Sequence, residues 1–101
     1  MRKTAHFITA DLGASSGRIM LGEWDGRVFS TQELHRFANC GVRAAGSLHW
    51  DILGIWSQIQ AGLRKYTATC SQTPQGIAVD AWGVDFARLD RCGRLIGNPF
   101  H

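Results

Sequence analysis

Carboxylate, hydroxyl and guanidinium side chains are concentrated in one short glycine-containing stretch near the amino terminus. Residues 11–18 run Asp-Leu-Gly-Ala-Ser-Ser-Gly-Arg between two apolar segments, a pattern typical of the tip of a β-hairpin. Gly13 and Gly17 are expected to adopt positive φ and so bring backbone N–H groups close to an anion. Asp11 would repel that anion unless a cation lay between them, which indicates Mg²⁺. The stretch therefore predicts a phosphate site.

Two well-known phosphate-binding loops do not fit this stretch. A P-loop requires a lysine followed by Ser or Thr, and here the lysine is absent and the glycines are one residue too close together. A Rossmann fingerprint requires Gly-x-Gly-x-x-Gly at the start of a helix, and neither that spacing nor the following segment fits. A plain hairpin turn with Asp11 and Arg18 exposed to solvent is the alternative, and composition alone does not separate it from a phosphate site.

Residues 11–18 resemble the first phosphate motif of the sugar kinase, hsp70 and actin superfamily, and in detail that of the FGGY carbohydrate kinases. Three later stretches look like the opening of a bacterial rhamnulokinase and occur in the same order. They are Glu-Leu-His-Arg-Phe-Ala-Asn at residues 33–39, Leu-His-Trp-Asp at residues 48–51, and Val-Asp-Ala-Trp-Gly-Val-Asp-Phe at residues 79–86 with Gly-Asn-Pro at residues 97–99. The resemblance covers essentially all of this chain but only the N-terminal part of such a kinase.

The resemblance implies a partial ribonuclease-H-like (actin-like ATPase) α/β domain. Residues 1–101 are expected to be an incomplete N-terminal kinase domain whose second domain is absent. A complete relative would transfer the γ-phosphoryl group of ATP to the C1 hydroxyl of L-rhamnulose. Its general base and its adenine pocket lie on the second domain, so no catalytic residue is expected before His101. The chain alone is therefore expected to be inactive.

Roles for individual residues follow from the same resemblance. Asp11 is expected to organise Mg²⁺. The residues expected to bind the ATP phosphates are Ala14, Ser15, Ser16, Gly17 and Arg18. On the sugar side, Gly83 would let the backbone approach a ketose, Trp82 would offer a flat apolar face, and Asp85 is a third candidate. The alternative is that Trp82 belongs to the core and that Asp80 only accepts a hydrogen bond at a strand end.

Composition excludes several other functions. The chain has 101 residues, 45% hydrophobic and 19% charged, enough for one globular domain with a modest core. Its net charge is +3, with Lys and Arg spread along the chain, so no nucleic acid or membrane partner is expected. Cys40, Cys70 and Cys92 are widely spaced and favour free thiols in the cytoplasm over disulfides or zinc. The histidines show no spacing typical of a metal site or a hydrolase.

Hydrophobic periodicity predicts the elements that must position these residues. The expected strands are residues 3–12, 18–24 and 27–37 in a meander, residues 76–82 after a helical crossover, and a small hairpin of residues 84–90 and 94–97. Asp25 and Gly26 are expected to form a two-residue turn with positive φ at both positions. Residues 38–47 are expected to be loop. The expected core residues of the third strand are Val28, Leu34 and Phe37.

A helix is predicted over residues 51–70, with Asp51 at its N-cap. Gly54 and Gly62 within it either weaken the helix, at about 1 kcal/mol each against Ala, or mark close packing on the sheet. The residues expected on its apolar face are Ile52, Trp56, Ile59, Leu63 and Tyr66, and the tryptophans expected to serve packing are Trp24, Trp50 and Trp56. A right-handed crossover would make the next strand parallel to the first, which would bring Trp82 to the same sheet edge as Asp11.

Two rival functions remain open at this point. One is a kinase for another sugar, such as xylulose or glycerol. The other is a non-catalytic interaction module that exposes an unfinished sheet edge, to which a partner or a second copy of the chain would add.

Overall fold

The computed structural model describes residues 4–101 as a four-stranded sheet, one long helix and a small two-stranded sheet. The elements are β1 (Ala5–Leu12), β2 (Ser16–Trp24), β3 (Phe29–Ala38), β4 (Val42–Ala44), β5 (Ser47–His49), α1 (Ile52–Thr69) and β6 (Gly76–Ala81). The main sheet has the order β3-β2-β1-β6, and β6 is parallel to β1 while the other neighbours are antiparallel. The predicted meander, crossover helix and parallel strand are confirmed. The predicted start of β1 at Lys3 lies outside the described residues.

Helix α1 covers one face of the sheet, and the core lies between them. Alternate residues of β1 and β2 point to the helix, as the twofold period of a strand requires. The buried cluster consists of Ile8, Ala10, Ile19, Leu21 and Tyr66. Gly62 lies where the helix approaches closest, because a Cβ at this position would overlap the side chain of Ile19. The predicted close packing at Gly62 is confirmed.

Hydrogen bonds fix both ends of α1. The Asp51 carboxylate accepts from the backbone N–H of Gly54 at 3.0 Å, which confirms the predicted N-cap. Near the other end, the Tyr66 hydroxyl donates to the carbonyl oxygen of Gln72 at 2.7 Å. Its single proton is then used, so His6 Nδ1, 2.9 Å away, donates to the same oxygen. Burial raises the pKa of Tyr66. The end of the helix is thereby tied to the start of β1.

The buried stripe of α1 agrees with the predicted one at Ile59, Leu63 and Tyr66, which pack in or against the core, and differs from it at Trp56. Ile55, Gly62 and Tyr66 are buried, whereas Trp56 is 54% exposed. The close approach at Gly62 explains the difference, because it turns the face containing Ile55 and Gly62 toward the sheet and leaves Trp56 outside. Of the tryptophans expected to serve packing, Trp50 is buried, whereas Trp24 and Trp56 are 41% and 54% exposed and lie outside the buried core.

The turn between β2 and β3 is longer than predicted. The Asp25 carboxylate accepts from the backbone N–H groups of Arg27 and Val28 at 2.8 and 2.7 Å, and these hydrogen bonds lower the pKa of Asp25. Only Gly26 has positive φ, and β3 begins at Phe29. The two-residue turn was wrong because a side chain closes this turn. Val28 is consequently exposed and not in the core, whereas Leu34 and Phe37 pack as expected.

Two further segments depart from the prediction. Residues 38–47 are not simply loop, since they contain β4 and the start of β5, joined through Ala45 and Gly46, which both have positive φ. The hairpin expected after β6 is reduced to one bridge between Leu89 and Leu95. The chain after it returns to β5, where the carbonyl oxygen of Pro99 accepts from the N–H of Trp50 at 2.9 Å.

Substituting Gly62 tests the packing of helix on sheet. Gly62→Val should lower the free energy of unfolding by about 1–3 kcal/mol, because the new side chain overlaps Ile19 in a filled interface. Ala68→Val, at an exposed position of the same helix, is the control and should cost about 0.5 kcal/mol or less. Urea unfolding followed by far-UV circular dichroism measures both. Equal losses in the two variants would contradict the close approach.

The outer edge of β6 generates a second prediction. Within residues 4–101 no strand pairs with this edge, and Ile77 and Val79 beside it are more than 60% exposed. Open apolar edges associate, so we expect concentration-dependent self-association of the chain. Val79→Lys should shift the molar mass from light scattering toward the monomer, whereas Val28→Lys in the distant β2–β3 turn should not. A wild-type monomer at every concentration would refute the expectation.

Candidate functional site

The loop between β1 and β2 is short and open at its tip. The N–H of Gly13 donates to the carbonyl oxygen of Ser16 at 2.9 Å and closes a tight turn. A Cβ on Gly13 would lie 2.7 Å from that oxygen, so the turn requires glycine. Ala14 and Ser15 form the tip and are exposed. Within the described residues their backbone N–H groups have no hydrogen-bond partner, which leaves two donors free for an anion.

The glycines of this loop do not have the backbone conformation predicted for them. Neither Gly13 nor Gly17 has positive φ. Gly17 is buried, and a Cβ there would overlap the ring of Phe37. Both glycines are needed because of close approach, to a carbonyl at Gly13 and to an aromatic ring at Gly17. The contact of Gly17 with phosphate stays a prediction.

Asn39 holds the loop in place. Its side-chain Nδ2 donates to the carbonyl oxygen of Gly13 at 2.9 Å, and its backbone N–H donates to that of Ser15 at 3.0 Å. The residue is only 5% exposed. Because both loop carbonyls bond inward, the tip presents its N–H groups outward. Sequence reasoning gave Asn39 no role, although a polar residue directly after a strand was a usable signal.

Three charged residues lie side by side on adjacent strands, at the base of the loop. Asp11 of β1 lies opposite Arg18 of β2 and beside Asp80 of β6. The Nε of Arg18 is 3.3 Å from Asp11 Oδ2, but it makes no hydrogen bond within residues 4–101, so the contact is ionic. Both side chains are more than one-third exposed, and such a pair contributes about 1 kcal/mol or less. A bound cation could therefore displace it.

The carboxylates at this position suit Mg²⁺ better than a metal ion whose ligands all come from the protein. No group of three or more His, Cys, Asp or Glu residues within the described chain could hold a metal ion. Mg²⁺ commonly uses one or two carboxylates and completes its octahedron with waters and substrate phosphates. Asp11, beside Asp80 and at the foot of an open anion loop, fits that requirement.

The parallel pairing of β1 and β6 places the two predicted half-sites at one sheet edge. Leu12 pairs with Ala81, so Gly13 and Trp82 leave the sheet side by side. This is the placement that the sequence predicted. A Cβ on Gly83 would meet no atom within 4 Å, so packing within residues 4–101 does not explain why this position is glycine.

Beyond β6, two tryptophans share one carboxylate oxygen. Asp85 Oδ2 accepts from the indole Nε1 of Trp82 at 2.6 Å and from that of Trp50 at 2.8 Å. The two indole rings are tilted against each other with centroids 4.4 Å apart, and His101 stacks on Trp50 at 4.2 Å. Within the short segment closed by these bonds, Val84 has φ of 71° and is 98% exposed.

A cavity of about 540 Å³ adjoins this cluster. Its walls come from residues 84–88 and 96–101, with Asp85, Asn98 and His101 among the polar groups. Asn98 is already engaged, because its Oδ1 accepts from the N–H of Ile52 at 3.0 Å. The cavity is therefore bounded by the segment that follows Gly83 and by the last described residues.

The cysteines and histidines of the described chain can be placed as well. The three cysteines are free thiols, as expected. His35 contacts Gln58 and Lys65, and His49 packs on Phe100. No helix within residues 4–101 is long and apolar enough to cross a membrane.

Comparison with known proteins identifies the fold. No family model matches the sequence. Gluconate kinase from Lactobacillus acidophilus superimposes with a TM-score of 0.75 and 14% identity over 97% of this chain and 20% of its own. Ligand-bound xylulose kinase from Lactobacillus acidophilus superimposes with a TM-score of 0.73 and 14% identity over 95% of this chain and 19% of its own. The chain thus spans about a fifth of each kinase. The expected partial ribonuclease-H-like α/β fold is confirmed.

Replacing Asn39 tests whether it fixes the loop. Asn39→Ala should lower the free energy of unfolding by about 1–3 kcal/mol, because the loop carbonyl of Gly13 loses its donor. Hydrogen exchange at the amides of residues 13–16 should accelerate beyond what global destabilisation explains. Cys40→Ala, at the exposed neighbouring position, is the control and should change neither quantity. Unchanged loop exchange in Asn39→Ala would show that the loop is held by other contacts.

Proposed function

We propose that this chain is the N-terminal part of an ATP-dependent carbohydrate kinase. The pairing of Leu12 with Ala81 is the observation that carries the proposal, because it brings an open anion loop and the Trp82–Asp85 segment to the same sheet edge. A kinase must hold a phosphoryl donor and its acceptor side by side, and phosphoryl transfer depends mainly on positioning and charge stabilisation. The fold shared with two sugar kinases supports the same conclusion.

In this proposal the β1–β2 loop binds the phosphates of ATP. The free N–H groups of Ala14 and Ser15 donate to phosphate oxygens, with the hydroxyls of Ser15 and Ser16 beside them. Arg18 would pair with the phosphate charge, and Asp11 would hold Mg²⁺. When bound, Mg²⁺·ATP would supply the phosphoryl group, and the metal ion would offset the negative charge of the phosphates. The backbone of Gly17 completes the loop.

The sugar is assigned to the Trp82–Asp85 segment, and L-rhamnulose is the substrate we propose. Residues 79–86 resemble those of rhamnulokinases, and the indole of Trp82 offers an apolar face that suits the C–H surface of a 6-deoxy sugar. Gly83, which has open space around it, would allow close backbone approach. Likeness to a protein named xylulose kinase makes a different ketose the second candidate.

The general base that accepts the proton of the sugar hydroxyl is assigned to residues beyond His101. Asp85 is not assigned this role, because its Oδ2 already accepts from two indoles. The 101-residue chain is accordingly proposed to bind ligands weakly and to lack turnover.

A coupled kinase assay of the protein expressed from its full-length gene tests this function. With ATP and Mg²⁺, we expect phosphorylation of L-rhamnulose in preference to xylulose and glycerol. Preference for another sugar would refute the substrate, and absence of activity with every ketose and polyol would refute the kinase.

Asp11→Asn tests the metal role in the same assay. Loss of the carboxylate charge should lower kcat about 100-fold or more, whereas KM for the sugar should change only a few-fold, because Mg²⁺ acts at the phosphates. Asp25→Asn, in the distant β2–β3 turn, removes the same charge and should leave kcat unchanged. An unaltered kcat in Asp11→Asn would exclude this role.

A further inference from the structure

We infer that Asp85 is a positioning residue, which joins the indole of Trp82 to the indole of the buried Trp50 and thereby fixes it. The inference rests on the proposed function and reassigns a residue that the sequence placed among the sugar contacts. It also restricts the proposed substrates to sugars that present an apolar C–H face, because the group that Asp85 positions is an aromatic ring.

The geometry at Asp85 leaves little capacity for a sugar hydroxyl at Oδ2. A carboxylate oxygen has two lone pairs, and Oδ2 already accepts from two indole N–H groups at 2.6 and 2.8 Å. Hydrogen bonds to a charged acceptor are about twice as strong as neutral ones. A sugar hydroxyl that bonded to Oδ2 would have to displace one of these strong indole bonds and would gain only an equivalent bond. The oxygen therefore serves the two tryptophans.

Trp50 is the fixed end of this arrangement. It is buried, its backbone N–H donates to the carbonyl oxygen of Pro99 at 2.9 Å, and His101 stacks on its ring. Trp82, by contrast, is only half-buried and lies in the loop directly after β6. Through Asp85, the buried ring of Trp50 holds the ring of Trp82. A preset ring lowers the ordering cost of ligand binding, since a free side chain would lose rotamer entropy on contact.

The backbone shows that the segment is held from both ends. Val84, a β-branched residue, has φ of 71° although such residues rarely enter the left-handed region. Its side chain is 98% exposed, so no packing within residues 4–101 compensates. The adjacent residue, Asp85, makes two short hydrogen bonds, and these hold the backbone of Val84 in its strained conformation. Strained backbone maintained by neighbouring bonds is characteristic of sites that must keep one geometry.

NMR of the indole N–H groups tests the arrangement directly in this chain. Trp24 and Trp56 have exposed side chains and no indole hydrogen bond within the described residues, so their signals serve as internal references. We expect the signals of Trp50 and Trp82 to lie downfield of these two. Asp85→Ala should move both upfield together, and Asp85→Asn should retain part of the shift through its amide oxygen. Asp90→Asn, in the exposed hairpin, should move neither.

Two results would overturn the inference at this step. One is wild-type signals of Trp50 and Trp82 that coincide with those of the exposed indoles. The other is a Trp82 signal that keeps its position in Asp85→Ala. Far-UV circular dichroism checks that each variant is folded, and if Asp85→Ala loses the fold the test is made with Asp85→Asn, in which an unmoved Trp82 signal would likewise overturn the inference.

A double-mutant cycle in the full-length kinase separates positioning from direct contact. Asp85→Asn and Trp82→Phe should each raise KM for the sugar several-fold without changing KM for ATP, and the double variant should be no worse than the worse single variant. If the increases in sugar KM of the two single variants multiply in the double variant, Asp85 contacts the sugar itself, and the inference is overturned. If the full-length protein phosphorylates no sugar, the proposed function fails, while the indole signals still decide whether Asp85 holds Trp82.

Discussion

The parallel pairing of β1 with β6 is the constraint on which the rest of the structure depends. It exists because α1 returns the chain across the sheet, and α1 can lie close enough only where Gly62 meets Ile19. Once Leu12 and Ala81 are neighbours, the loop after β1 and the segment after β6 must leave the sheet at the same edge. Ligand sites in open α/β sheets form where strand carboxyl ends meet in this way.

Each of the two loops at that edge is then held by a polar side chain rather than by an apolar core. Asn39 bonds the carbonyls of the β1–β2 loop and leaves its N–H groups outward. Asp85 joins Trp82 to the buried Trp50. Fully bonded polar groups specify one geometry, since every alternative leaves a buried donor unpaired. Rigid loops on a rigid sheet are what positioning two substrates requires.

The sequence predicted the parts of this arrangement that arise from local patterns. The alternation of apolar and polar residues identified the strands, and the helical spacing of apolar residues identified α1. Asp51 marked the start of the helix as its N-cap. The failures are of two kinds. The Asp25 turn and the β4–β5 hairpin are local, but a side-chain hydrogen bond and residues with positive φ form them, and apolar spacing indicates neither. The other failures involve residues far apart in the chain: Gly17 was read as a conformational glycine because Phe37 is 20 residues away. The bond from Asp85 to Trp50 likewise spans 35 residues.

The central claim is that the tip of the β1–β2 loop binds a nucleotide's phosphates at the edge where β6 ends. NMR titration of this chain with Mg²⁺·ATP tests it most directly. We expect saturable, Mg²⁺-dependent shifts of the amides of Ala14 and Ser15, with the amides of β4 unmoved as an internal control. Shifts that are absent at the loop tip, or equal with and without Mg²⁺, would show that the loop does not bind the phosphates.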